Sequence, residues 1–189
     1  NTDATEDDGS CLENDACGVC GGGGIAAGEC DCAGNVPVAG FDCDGTPLEF
    51  QFNQSTQQAY YNFYFVTIDG TPVESDDWVG TFNGDVCVGS FKWDTSQCNN
   101  DVCAVPAMGN DGTPSTTGYL VPFSDTPTFK IYDALAGTYL DAITSETVDV
   151  FTDLNFQIID YLEHCSGGAT TIDCQGACGG TAVVDECGE

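Results

Sequence analysis

The sequence predicts an all-β protein: an immunoglobulin-like or jelly-roll β-sandwich carried between disulfide-rich, loop-like N- and C-terminal arms. Three observations predict it. Cysteines crowd the ends of the chain, with six between residues 1 and 43 and four in the last 25, while only Cys87, Cys98 and Cys103 fall between. Aromatic residues show the reverse distribution, nearly all lying between Phe50 and Tyr161. Within that aromatic stretch, short apolar runs rich in β-branched residues alternate with turn signals, the pattern of strands.

The first element is a Cys/Gly-rich acidic arm, residues 1–46, and the last a second such arm, residues 165–189. Neither has enough apolar mass for a core of its own. They read as versions of one repeat: ACGVCGGGGIAAGEC at 16–30 and DCQGACGGTAVVDEC at 173–187 each hold a close cysteine pair, a glycine run, a small apolar patch, an acid and another cysteine.

Between them, residues 47–164 form the β-domain. Expected strands are Leu48–Phe52, Ala59–Ile68, Trp78–Phe82, Val86–Trp93, Thr128–Tyr132, Tyr139–Ile143 and Leu154–Leu162. Breaks fall at Asp69-Gly70, Asn83-Gly84, Asp111-Gly112 and Ala136-Gly137, and Asn83-Gly84 between two such runs signals a tight hairpin. The last run fits a helix through Phe151, Leu154, Ile158 and Tyr161, or a strand through Leu154, Phe156 and Ile158; a strand is expected, since the β-domain needs a closing partner.

Charge excludes whole classes of function. Asp and Glu number 31 against two lysines, a net charge of −29. Nucleic acid and anionic lipid both require a basic footprint, which this chain lacks. With 41% hydrophobic residues, disorder does not explain the acidity. Calcium is the expected cofactor, because hard cations bind clustered carboxylates. The expected ligands are Asp76, Asp77, Asp85 and Asp94 around the tryptophan-containing hairpin, with further clusters at Asp3, Asp7 and Asp8 and at Asp42 and Asp44. No stretch matches the EF-hand loop.

Thirteen cysteines imply an oxidising compartment, and the odd count leaves one over. Cys87, in a Val-Cys-Val strand, is the expected free thiol. The other twelve, Cys11, Cys17, Cys20, Cys30, Cys32, Cys43, Cys98, Cys103, Cys165, Cys174, Cys178 and Cys187, are expected in disulfides within their own segments. Cys98 and Cys103, five apart, are the clearest pair. Zinc or redox chemistry at Cys17, Cys20, Cys174 and Cys178 is the competing reading of the close pairs. No stretch is long and apolar enough to span a membrane as a helix. The chain starts at Asn1 with no leader and reads as a processed chain or an excerpt of a longer precursor.

The stretches NTDATEDDGSC (1–11), ACGVCGGGGIAAGECDCAGN (16–35) and CGGTAVVDECG (178–188) resemble Cys/Gly-rich repeats of large secreted bacterial multi-module surface proteins. QSTQQAYYNFYFVTIDG (54–70) and DDWVGTFNGDVCVGSFKWDTSQC (76–98) look like a β-domain that recurs between such repeats. The chain departs from the usual arm at Gly23, where many repeats carry Asp. The resemblance implies an extracellular or cell-surface location and a modular architecture.

Catalysis is not expected. His164 is the one histidine, and with so many acids a carboxylate pair carries no specificity. Asn53-Gln54-Ser55 is a glycosylation sequon. Two functions remain. One is a structural subunit of an extracellular fibre or surface assembly, polymerising head to tail through its arms with itself as partner. The other is a carbohydrate-binding or adhesive module that holds polysaccharide through Trp78, Trp93 and the aromatic run Tyr60–Phe65.

Overall fold

The computed structural model describes residues 13–98 and 102–182. Cys11, Cys187, the Asp3, Asp7 and Asp8 cluster and residues 99–101 lie outside the described residues. The chain divides into two compact units, Asn1–Leu48 and Glu49–Glu189.

The second unit is all-β. Its strands are β1 (Gln58–Ile68), β2 (Thr71–Pro72), β3 (Trp78–Asn83), β4 (Val86–Lys92), β5 (Cys103–Met108), β6 (Thr128–Asp133), β7 (Thr138–Thr144) and β8 (Phe156–His164). They form one eight-stranded sheet in the order β2-β1-β8-β7-β6-β3-β4, with β5 also pairing β1. Strand β7 belongs to both halves: Thr138–Ala142 pairs β6, and Ile143 and Thr144 pair β8. The sheet thus curls around its own core. β4 and β5 come so close that a Cβ on Gly89 would stand 1.8 Å from the Pro106 carbonyl oxygen.

Local chemistry makes the hairpins. Asp69 and Gly70 both have positive φ, 50° and 76°, and join β1 to β2 as a two-residue turn. Gly84 (φ 59°) opens the two-residue turn Gly84-Asp85, which joins β3 to β4 with Asn83 opposite Val86. The Asn83 side chain donates to the carbonyls of Gly118 and Tyr119, tying the hairpin to a neighbouring loop.

Inward residues alternate along β1. Ala59, Tyr61, Phe63 and Val66 join Val79, Val88, Val105, Phe129, Ile131, Ile159 and Leu162 in the core. Phe129 stacks edge-on against both Tyr61 and Phe63. Burial of such side chains contributes roughly 1.5–3 kcal/mol each.

Two expectations are corrected and one strand is added. Leu48–Phe50 is a short 3-10 turn rather than a strand; it drops Phe50 into a cage of Phe82, Tyr132 and Tyr139. Cys103–Met108 is a strand despite Pro106. Leu154 has a positive φ and precedes β8 rather than belonging to it.

Candidate functional site

The first unit is built from one small motif used three times. Asp15, Asp31 and Asp42 each open an Asp-x-x-Gly-x loop. In each, Oδ1 accepts the amide N–H two residues on and the one four residues on: Cys17 and Val19, Ala33 and Asn35, Asp44 and Thr46. In each the glycine amide donates to the aspartate carbonyl, and Gly18, Gly34 and Gly45 have φ of 74°, 82° and 79°. Glycine takes that conformation without steric cost, which explains its fixed place.

The fourth copy is in the second unit. Asp173 Oδ1 accepts from Gln175 and Ala177, and Gly176 (φ 77°) donates to the Asp173 carbonyl. Asp15 and Asp173 match further: Gly24 N–H donates to Asp15 Oδ2 and Ala182 N–H to Asp173 Oδ2. The bridges Asn14–Cys20 and Ile172–Cys178 also correspond. The structural repeat therefore aligns Asp15 with Asp173, one residue away from the alignment read off the cysteines. Amide donors stabilise the charged carboxylates and hold the carboxyls of Asp15 and Asp173 below the usual carboxylate pKa range. Asp31 is lowered likewise, first by the Asn35 side chain.

Disulfides lock these loops. Cys17 bonds Cys32, Cys30 bonds Cys43, and Cys165 bonds Cys178, while Cys98 bonds Cys103 within the β-domain. Cys20 and Cys174 are also disulfide-bonded. The Cys17, Cys20, Cys174 and Cys178 thiols are therefore not metal ligands. Cys87 is free and buried, and burial pushes its thiol up to about 12. Among the described residues, the group with metal-ligand spacing is Glu163, Cys165 and Cys178. Two of its three members are bonded to each other. These bonds place the chain in an oxidising, non-cytosolic compartment. Among the described residues no helix is long and apolar enough to cross a membrane.

Asp76 and Asp77 line a cleft of about 400 Å³ beside the β1–β2 turn. Asp69, Glu74 and Asp133 complete its acidic wall. Asp77 is buried: Oδ2 accepts from Glu74 N–H and Oδ1 from Ala134 N–H, so its first task is to fix the wall. Asp69 Oδ1 accepts from Ser166, which holds its carboxyl below the usual range. Asp85 stands apart at the tip of the β3–β4 hairpin. Asp94 caps the turn Thr95–Gln97 and lines a second depression with Ser75, Phe91, Lys92 and Gln97. The fold thus joins Asp76 and Asp77, with Glu74 of the same loop, to two acids from other segments, Asp69 and Asp133. Asp69 was legible as a turn residue, but nothing in the sequence brings Asp133 beside it.

Trp93 is buried and Trp78 half-buried, so Trp93 offers no face to a sugar. The aromatic run Tyr60–Phe65 splits. Tyr61 and Phe63 enter the core, whereas Tyr64 and Phe65 are exposed. Asn53 is exposed, and its Nδ2 donates to the Ser115 carbonyl. His164 Nδ1 lies 2.7 Å from the Asp141 carbonyl. Comparisons with protein-family models, curated proteins and solved structures find no match for this chain.

Proposed function

We propose that the chain is a structural subunit of an extracellular fibre or cell-surface assembly, joined head to tail to its own copies through its arms. The observation that carries this reading is the fourfold use of one Asp-x-x-Gly loop among the described residues, three times in the N-terminal unit and once after β8. Each loop is held by carboxylate–amide bonds, and the cysteines around it are spent on covalent cross-links. Such investment stiffens an element with little apolar mass, which suits a load-bearing connector. The resemblance to modular bacterial surface proteins supports the same location. The reading includes no catalysis. Ca²⁺ serves as counterion, screening carboxylates that would otherwise repel between neighbouring subunits.

Negative-stain microscopy and sedimentation of the full chain test this. Fibres or ordered oligomers are expected with Ca²⁺ present. A variant lacking residues 1–46 is expected to keep its β-sheet circular dichroism and lose assembly. A full chain that stays monomeric at high concentration sinks the reading.

The second reading is a polysaccharide-binding module. Its support is the pair of stacked, partly exposed rings Phe65 and Tyr161, 4.9 Å apart. Affinity electrophoresis against immobilised polysaccharides distinguishes it from the first.

A further inference from the structure

Strands β1 and β8 run parallel, and their outward residues meet in rungs. Tyr60 pairs with Phe156, Asn62 with Ile158, Phe65 with Tyr161 and Thr67 with Glu163. The inward–outward alternation slips by one at Tyr64–Phe65 and at Asp160–Tyr161. Phe63 and Val66 are both in the core, as are Ile159 and Leu162, so the residues between them turn outward. All four rungs therefore share one outer face.

The chain covers only one end of that face, over Tyr161 and the Thr67–Glu163 rung, while Phe65 stays 53% exposed. Gly176, in the fourth Asp-x-x-Gly loop, lies on the Tyr161 ring, where a Cβ would come within 2.5 Å of Cδ1. The Cys165 and Cys178 sulfurs lie within 4.8 Å of a Glu163 carboxylate oxygen, and Glu163 is completely buried. Thr67 Oγ1 and Gly70 N–H donate to that carboxylate. The other two rungs are bare on their β8 side, whereas Tyr60 and Asn62 are half-buried. Phe156 is 66% exposed and Ile158 60%, with the Phe156 ring stacked on Tyr60. Adjacent exposed apolar side chains of this size mark an interaction surface.

We infer that the bare rungs Tyr60–Phe156 and Asn62–Ile158 are the seat for an Asp-x-x-Gly loop from the N-terminal unit of a second copy of this chain. This deepens the reading of the chain as an assembling subunit and rests on it. The occupant is indicated by the covered end of the same face, where the loop type and its glycine contact are already seen on a ring of the same row. Three more loops of that type are seen among the described residues, all in the N-terminal unit. Among the described residues, a Cβ at Gly18 or Gly45 would meet nothing within 4 Å, so the glycine faces of two of them are open. Each half of the contact is open within its own unit, and the head-to-tail assembly proposed above brings the two together. A glycine face admits close approach of backbone to ring, because no side chain stands between them. Both surfaces belong to a strongly acidic molecule, so the contact is apolar and salt strengthens it by screening the surrounding charge.

The test uses the full chain, with the assembly threshold read by sedimentation in Ca²⁺-containing buffer. The double variant Phe156→Ser with Ile158→Ser removes the seat at exposed positions. The double variant Gly18→Asn with Gly45→Asn fills the loop face with a residue that tolerates positive φ. Circular dichroism and melting check that each variant stays folded. Each is expected to need at least about ten times more protein to assemble, the scale set by losing an interface anchor. Wild-type assembly with both variants unchanged overturns this inference and leaves the proposed function standing. Loss in the Phe156/Ile158 variant alone overturns the loop as occupant. A wild-type chain that never assembles overturns both readings together.

Discussion

Gly176 lies against the ring of Tyr161 so closely that the loop and β8 can be in contact only while residue 176 has no side chain. The same glycine has a φ of 77°, so packing and backbone conformation demand it independently. Gly176→Ala is therefore expected to destabilise the second unit by about 2–3 kcal/mol, from left-handed strain plus overpacking. Gly168→Ala is the control: it has similar φ and open space around it, so the strain alone, about 1–2 kcal/mol, is expected. Thermal melts of the two variants check this; equal losses refute a packing role for Gly176.

Gly89 is the tightest point of the β-domain. A Cβ there meets the Pro106 carbonyl oxygen, which is backbone and cannot rotate away. Gly89→Ala is expected to force β4 from β5 and cost about 3 kcal/mol, at the upper end of overpacking effects. Denaturant midpoints measure it, and a cost under about 1 kcal/mol is incompatible with this approach of the strands.

Acid should loosen the Asp-x-x-Gly loops. The carboxyls of Asp15, Asp31 and Asp173 are lowered by hydrogen bonds that favour the charged form. Their contribution is complete above the unfolded carboxylate value, about 4, and is lost as pH falls through the lower folded values. Amide exchange at Val19, Asn35 and Ala177 is expected to quicken below about pH 4. Asp173→Asn keeps an acceptor at the side-chain oxygen without the charge, and should flatten the profile at Ala177. An unchanged profile there removes the carboxylate from the account.

The Cys87 thiol is buried, and its acidity is suppressed by desolvation to about 12. Alkylating reagents at pH 8 are expected to leave the native protein unmodified and to label one thiol after denaturation. Native labelling at the rate of an exposed thiol contradicts the buried strand position.

Calcium is expected to raise the melting temperature relative to chelator, with stabilisation of about 2.7 kcal/mol at about one hundred times the dissociation constant. Asp76→Asn and Asp133→Asn place the effect in the acidic cleft if they reduce it, whereas Asp85→Asn, at the hairpin tip, should not. Superimposable curves with and without Ca²⁺ exclude the cation from stability.

Sequence alone determined what depends on near neighbours. Short apolar runs rich in aromatic and β-branched residues, set off by turn signals, marked β1, β3, β4, β6 and β7 because such side chains pack well on a pleated surface. Asn83-Gly84 marked a hairpin and Asp69-Gly70 a break, because only certain residues tolerate positive φ. The Cys98–Cys103 bond closes over five residues, so spacing indicated it. Tertiary structure decided the rest. The parallel register of Tyr60 with Phe156 joins residues far apart in the chain, and no local pattern encodes such a pairing. β5 escaped notice because Pro106 masks a strand whose other residues pair β1. Asp133 reaches the cleft of Asp69 only because the sheet curls. The identity of Asp15 with Asp173 was hidden beneath the cysteine spacing, since what the loops share is a set of carboxylate–amide bonds that exists only once the backbone is folded.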